Sequence, residues 1–367
     1  MDQQTNFKRK IIIAVSLFLV ISSLFLVIWN GVYLPKESYS SEKVIFSVEK
    51  GQGSKEISIK LEQQGLIKSG PLFRLYALHS GTAGKLQAGD YLLSPAMTIP
   101  EIVKKFVAGD IIKERITIVE GWNLRDIGRY FEERGMFQQN EFFTIAGYPM
   151  VDYSKESSLS QPKDFSQEFA CPVGSPPGDS CGDFLRDKPK NLGLEGYIFP
   201  DTYEIVKGES LEALMRKILK NFDKKLTPEI RDETEKQGKT IFEIVTMASI
   251  IEKEVRSFDD RQIVSGILWK RIKSNMPLQV DATVTYIIGK TTTKVLIEET
   301  KIDSPYNTYK YVGLPQGPIS NPGLESIRAA IYPRESEYWF YLSKPDGETV
   351  FSKTFKEHNR AKAEYLK

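Results

Sequence analysis

IFSVEKGQGSKEISIKLEQQGLI, residues 45–67, and RITIVEGWNLRDIGRYFEERGMF, residues 115–137, are one pattern written twice. At a constant offset of 70, Gly51 falls on Gly121, Lys55 on Arg125, Glu56 on Asp126 and Ile57 on Ile127. Leu61 then falls on Phe131, Glu62 on Glu132 and Gly65 on Gly135. Each copy reads as a short β-rich run, a glycine turn, and an amphipathic helix stopped by glycine. A second correspondence, at an offset of 112, sets AGDYLLSPAMTIPEIVKKF (88–106) against PDTYEIVKGESLEALMRKI (200–218). It places Tyr91 over Tyr203, Thr98 over Ser210 and Ile102 over Leu214. Thr98 and Ser210 both suit a helix N-cap, where a side-chain oxygen accepts from an unpaired amide of the first turn.

The economical reading is an α+β protein with two copies of a small strand–helix module, residues 45–112 and 113–225. An insertion at 149–192 splits the second copy. Rich in Ser, Pro, Gly and Asp and without periodicity, it reads as a surface excursion. It holds both cysteines, Cys171 and Cys181, in CPVGSPPGDSC. In an oxidising compartment a disulfide is the natural reading, with two free thiols as the alternative. The spacing is no metal signature, since no second Cys pair and no His lies nearby. Modules of this size resemble LysM-type glycan-binding units; the plainer alternative is a scaffold that only positions the rest.

Upstream, residues 11–29, IIIAVSLFLVISSLFLVIW, carry no charge. At about 1.5 Å per residue, roughly 20 such residues cross a hydrocarbon core. Lys8, Arg9 and Lys10 precede the run, Lys36 is the first charge after it, and Trp29 and Tyr33 stand where an interfacial aromatic belt would lie. The positive-inside rule then gives a cytoplasmic tail at 1–10, a transmembrane helix at 11–30 and a linker at 31–44, with the body across the cell membrane. A cleaved signal peptide is the alternative. Its apolar core is normally about 7–15 residues long and ends at a small-x-small site, which NGVYLPKES does not offer.

Composition bounds the chemistry. Fifty Lys and Arg against 48 Asp and Glu leave a net charge of +2 over 367 residues. That balance lacks the concentrated basic face that grips nucleic acid. Two Cys and two His, at 171, 181, 79 and 358, lack the paired spacing of a zinc site, and two Cys cannot build a disulfide-dense scaffold. A His-based triad would have to use His79 or His358. No metal and no cofactor is expected.

The chemistry falls in a domain at 236–367. KTIFEIVTMASIIEKEVRSFDDRQIVSGILWKRIKSN (239–275) reads as two consecutive helices. The first is apolar on most sides, so it is expected to be buried. Its last turn carries Glu252 and Glu254, which point to nearly opposite faces and cannot form a carboxylate pair. A carboxyl partly desolvated by apolar neighbours near a helix C-terminus has a raised pKa, as a general acid near neutrality requires. The helical wheel slightly favours Glu252 for burial and Glu254 for access to a cleft, without choosing between them; the plain reading of either is a salt-bridge or surface residue. MPLQVDATVTYIIG (276–289) reads as an extended, alternating run presenting Gln279, Asp281, Thr283 and Tyr286. DSPYNTYKYVGLPQGPISNPG (303–323) is a Pro- and Gly-shaped loop displaying Tyr306, Asn307, Tyr309, Gln316 and Asn321. Aromatic faces and side-chain amides suit a sugar, although a loop whose rings pack inward reads equally well. The end reads as a β-hairpin about Asp346-Gly347 and a closing helix, with His358 structural rather than catalytic.

MASIIEKE, LQVDATVTY, SPYNTY, GLPQGPISNPG and the terminal FSKTFKEHN together resemble the endolytic murein transglycosylases, the MltG or YceG-like family. VEGWNLRDI, LEGYIFPDTY and the single N-terminal anchor resemble the same family, so the likeness covers nearly all of the chain after the linker. The insertion with Cys171 and Cys181 departs from it. The resemblance implies cleavage of the β-1,4 bond between N-acetylmuramic acid and N-acetylglucosamine inside nascent peptidoglycan strands, leaving 1,6-anhydro ends. It puts the catalytic carboxyl on Glu254, with Glu252 as a supporting neighbour. It lines the glycan cleft with Gln279, Asp281, Thr283, Tyr306, Asn307 and Thr308, and adds Asn321 and, more weakly, Glu195. It also implies glycan strands, the membrane and cell-wall synthases as partners. Two rivals stand beside it: a hydrolytic muramidase, in which Asp281 or Glu195 would partner Glu254, and a non-enzymatic glycan-binding scaffold.

Overall fold

The computed structural model describes residues 2–169, 183–290 and 295–365. Cys171 and Cys181, and with them the expected disulfide, lie outside the described residues. The chain divides into two compact units, Met1–Arg115 with Glu204–Glu209, and Ile116–Tyr203 with Ser210–Lys367. Both mix helices with short strands.

The first unit runs α1 (Asp2–Tyr33), β1 (Val44–Val48), α2 (Ser54–Gln63), α3 (Gly70–His79), β2 (Gly89–Leu93) and α4 (Ile99–Ala108). Strands β1 and β2 pair antiparallel, with Phe46 opposite Tyr91 and Val48 opposite Gly89. Strand alternation turns Phe46 and Val48 inward, where they meet Ile57, Leu61, Phe73, Tyr91, Ile102 and Phe106 in one core. Thr98 caps α4 as expected: its Oγ1 accepts from the Glu101 amide, and the Glu101 carboxylate accepts from the Thr98 amide at 2.7 Å. Within α1, Phe7–Tyr33 is long and apolar enough to cross a membrane. Its last turn packs on the unit, with Val32 buried and Tyr33 edge-on to Tyr76.

The division passes through β3 (Lys113–Thr117) and β4 (Thr202–Val206), which form a second two-stranded sheet. The other elements belong to the second unit. They are α5 (Leu124–Glu133), α6 (Gln139–Ala146), α7 (Leu211–Lys225), α8 (Pro228–Lys236), α9 (Ile241–Glu254), α10 (Phe258–Lys273), α11 (Asp281–Ile288), α12 (Leu324–Ile331), β5 (Phe340–Ser343), β6 (Thr349–Ser352) and α13 (Phe355–Tyr365). The repeat survives down to single hydrogen bonds. Ser210 caps α7 through the Ala213 amide. The Tyr203 hydroxyl donates to the Phe199 carbonyl at 2.6 Å, as Tyr91 donates to Gln87 at 2.7 Å, four residues back in each copy. The expected hairpin is present, with Gly347 at φ 92° in its turn.

Two expectations need correction. The 149–192 insertion is not a purely superficial excursion: Tyr153, Phe165, Phe184, Leu185 and Leu192 are buried, and Phe184 sits edge-on to Phe222 of α7. Apolar side chains at irregular spacing give a buried loop no period to read. The run 276–289 is not extended beyond Val280; it becomes α11. The Thr283 hydroxyl donates to the Val280 carbonyl at 2.7 Å, and Gly289 closes the helix at φ 68°. Those contacts outweigh the strand preference of Val, Thr and Tyr, which expresses packing context more than backbone preference.

Candidate active site

Helix α9 is the axis of the second unit. Thr240 starts it with a reciprocal capping box to Glu243, at 3.1 and 2.8 Å. Ile244, Val245, Met247, Ala248, Ile250 and Ile251 are fully buried, and α12 and α10 enclose them. Each of the larger side chains contributes roughly 1.5–3 kcal/mol, which holds the helix position against the cost of the two carboxyls in its last turn. The helix stops at Glu254 because Val255 turns to extended backbone.

Those carboxyls have separate fates. Glu252, with 6 % of its side chain exposed, pairs with Arg261 Nη2 at 3.0 Å and accepts from the Gly323 amide at 2.9 Å. It therefore ties the end of the 303–323 loop to α9 and α10. Glu254 is half-buried, and burial pushes its carboxyl up to about 7. The Tyr341 hydroxyl and the Ala282 amide, in the first turn of α11, favour the charged form and pull the other way, while the Asp281 charge adds to the rise. Its carbonyl accepts from Ser343 Oγ at 3.0 Å, joining α9 to β5.

Three elements converge there because Arg271 of α10 staples them. Its Nε and Nη2 donate to the Trp339 carbonyl at 2.9 and 2.7 Å, and its Nη1 donates to the Leu278 carbonyl at 2.8 Å. One guanidinium so fixes both the strand bearing Tyr341 and the approach to α11. Tyr309 of the loop donates a short hydrogen bond to Asp281. Burial, then hydrogen bonding to Asp281, raises the Tyr309 hydroxyl above its ordinary value, and the Glu254 charge adds to this. Gln279 and Asp281 are exposed beside this group, and Gln279 holds φ 52°, a left-handed conformation rare outside glycine. Thr308 pins it there: its carbonyl accepts from the Gln279 amide and its Oγ1 from the Val280 amide, both at 3.0 Å.

The remaining expected residues lie inside the protein. Thr283 and Thr308 are buried and bond each other at 3.0 Å. Asn307, fully buried, donates to the Thr300 and Ile302 carbonyls and shapes the loop. Tyr306 packs against Tyr286, with ring centres 5.4 Å apart. Glu195 is 6 % exposed and accepts from the Leu124 amide at 3.2 Å, Tyr286 Oη at 3.0 Å and Asn321 Nδ2 at 3.2 Å. Burial still pushes it up to about 8. Asn321 also accepts from the Ile198 amide and donates to the Trp122 carbonyl. Gly196, at φ 86°, allows this packing: a Cβ there would stand 2.6 Å from Pro318.

Glu254, Asp281, Tyr309 and Tyr341 therefore form one cluster, with Gln279 at its edge. Glu195, Asn321, Tyr286 and Tyr306 form a second, buried one. Tyr341 and Arg271 were not singled out from sequence. The hairpin was legible, but which of its side chains meets Glu254 depends on how β5 docks. Among the described residues, no three His, Cys, Asp or Glu side chains gather as a metal site.

At the end of a buried helix, then, stands a carboxyl that burial pushes up to about 7, beside exposed Asp281 and two tyrosine hydroxyls, the kind of group that acid–base chemistry uses. Comparison with known proteins narrows the class. The model of the YceG-like family matches residues 46–364, and the chain belongs to that family. It is 33 % identical over 334 residues to an endolytic murein transglycosylase of Bacillus subtilis, covering 90 % of this chain and 87 % of that protein. An endolytic murein transglycosylase of Streptococcus pneumoniae is 29 % identical over 91 % of the chain, which spans 60 % of that relative's length. The 2.6 Å crystal structure of a YceG-like protein from Listeria monocytogenes is 34 % identical and superposes with a TM-score of 0.54, covering 88 % of this chain and all of that one.

Proposed function

We propose that the protein is a membrane-anchored endolytic lytic transglycosylase that cleaves the MurNAc-β-1,4-GlcNAc bond within peptidoglycan strands through Glu254. The observation that carries this reading is the Glu254 carboxyl, pushed up to about 7 by burial beside exposed Gln279 and Asp281. Near neutrality such a group is available both as acid and as base. As the acid it protonates the bridging oxygen while the C1–O bond breaks. As the carboxylate it takes the proton of the muramyl 6-hydroxyl as that oxygen bonds to C1, closing the 1,6-anhydro ring. The acid is regenerated and no water is consumed. Tyr341 and the Ala282 amide stabilise the carboxylate between the two steps.

The relatives named endolytic murein transglycosylase support the same substrate and reaction. In this reading α1 anchors the chain with its N-terminus in the cytoplasm. The strand–helix repeat serves as LysM-like modules that hold the glycan, near wall synthases. Mass spectrometry of digested glycan tests the chemistry: ends lighter by one water than hydrolytic ends are expected, and only reducing ends would sink the lytic assignment.

The hydrolytic reading has one observation in its favour, the charge of Asp281 acting on Glu254. A muramidase needs a second carboxylate across the scissile bond, at roughly 5–9.5 Å, whereas Asp281 is engaged by Tyr309. Anhydro ends retained in Asp281→Asn would exclude Asp281 as that partner.

A further inference from the structure

Helix α11 connects the two carboxyl clusters. At its start Asp281 accepts from Tyr309, and the first turn of α11 packs against α9, where the Ala282 amide favours the charged form of Glu254. One turn on, on the same face, Tyr286 donates to Glu195 Oε2 at 3.0 Å. Arg125 of α5 donates through Nη1 to the Tyr286 carbonyl at 3.0 Å and lies 5.1 Å from the Tyr286 ring centre, so it caps the C-terminal half of α11. Glu195 also receives the Leu124 amide at the start of α5. Helix α11 has only eight residues, too few to be stable without such holds.

From this geometry we infer that Glu195, Tyr286 and Arg125 are positioning residues for the Glu254 site: they set where the first turn of α11 presents the Ala282 amide to the Glu254 carboxyl. The inference rests on the proposed function and goes beyond it, because it moves Glu195 out of the glycan cleft and makes it act through α11. None of the three side chains needs to touch substrate. The repeat thereby has a second role. Arg125, the counterpart of Lys55 in the first copy, supplies a planar fork that both stacks and donates.

The charged and titratable groups around each carboxyl define what a pH profile can report. Glu254 faces Asp281, Tyr341 and Tyr309, with Arg271 beside the two tyrosines. Glu195 faces Arg125, Asp126, Tyr286 and Tyr306. If α11 slackens, the Ala282 amide moves away from the Glu254 carboxylate, and loss of a donor that favours the charged form raises a pKa.

The test uses the full chain in detergent micelles acting on isolated glycan strands across a range of pH. Tyr286→Phe and Glu195→Gln are each expected to move the basic limb of kcat upward by about half to one pH unit and lower kcat several-fold, with KM within about twofold. Thr234→Ala, which removes a buried hydroxyl from α8, controls for general loss of stability and is expected to leave the limb in place. Unmoved limbs in both variants, with rates that follow only the folded fraction, would overturn the inference. Tyr286→Phe keeps the ring and is the variant to trust if Glu195→Gln folds poorly. Glu254→Gln separates the two levels: full activity there defeats the proposed function itself, whereas an inactive Glu254→Gln with unmoved limbs defeats only the positioning role.

Discussion

Glu195 and Glu254 are both carboxyls lifted towards neutrality by burial, yet they sit in opposite kinds of surroundings. Glu195 is enclosed: a backbone amide, a tyrosine hydroxyl and an asparagine amide all donate to it, and each donor belongs to a different part of the second unit. Glu254 is half-buried, with Gln279 and Asp281 exposed beside it. A carboxyl with every lone pair engaged internally holds structure together. One with its protein partners on one side and polar exposure on the other can exchange a proton with something that arrives. A raised pKa therefore does not mark a reacting group by itself; the supply of partners decides.

The largest expected effects separate neighbours on one helix. Glu254→Gln should lower glycan cleavage by about 10²–10⁴-fold, the usual worth of a general acid–base, with little change in the denaturant midpoint. Glu252→Gln should do the reverse. Removing one partner of its buried pair with Arg261 costs about 3–5 kcal/mol, read as a lower urea midpoint. Equal stability losses in the two variants would erase the distinction between them.

Glu195→Gln sharpens the comparison at smaller scale. Its amide must turn NH2 towards groups that are themselves donors, a loss of about 1–3 kcal/mol in thermal or urea unfolding. The pH dependence of stability follows from the sign of the shift. A carboxyl raised from an unfolded value near 4.5 to about 8 binds more protons folded than unfolded. Its contribution is complete below about pH 4.5 and is lost as pH rises to about 8. Glu195→Gln should flatten that decline, measured as unfolding free energy at about pH 5 and pH 8. An unchanged slope would mean that Glu195 is ionised in the folded protein. The smallest effect is at Tyr341→Phe. Loss of its donor should raise the Glu254 pKa and move the basic limb of activity up by about half a unit, without changing the ends produced.

Much of this arrangement was legible in the residues. The repeat predicted both capped helices and the paired tyrosines. The apolar wheel predicted a buried α9, and Asp-Gly predicted the hairpin. Other parts were hidden for physical reasons. α11 carries strand-favouring residues, and its helix is held by Thr308, Arg125 and Glu195 from distant stretches. The insertion hides Phe165 and Phe184 at no readable period. In the candidate site, Glu254, Asp281 and Gln279 stood out from their motifs. Tyr341 did not, because alternation along a strand tells which residues share a face but not what that face meets.

Local chemistry, written in consecutive residues, determined the elements: caps, glycine stops, apolar stripes and the span of α1. It also narrowed the proposed acid to two glutamates in one helical turn. Tertiary structure decided between their surroundings, since Arg261 and the Gly323 amide arrive on one face of α9 and Tyr341 and the Ala282 amide on the other. Desolvation and hydrogen-bond supply depend on neighbours far apart in the chain, and those are what tune a carboxyl.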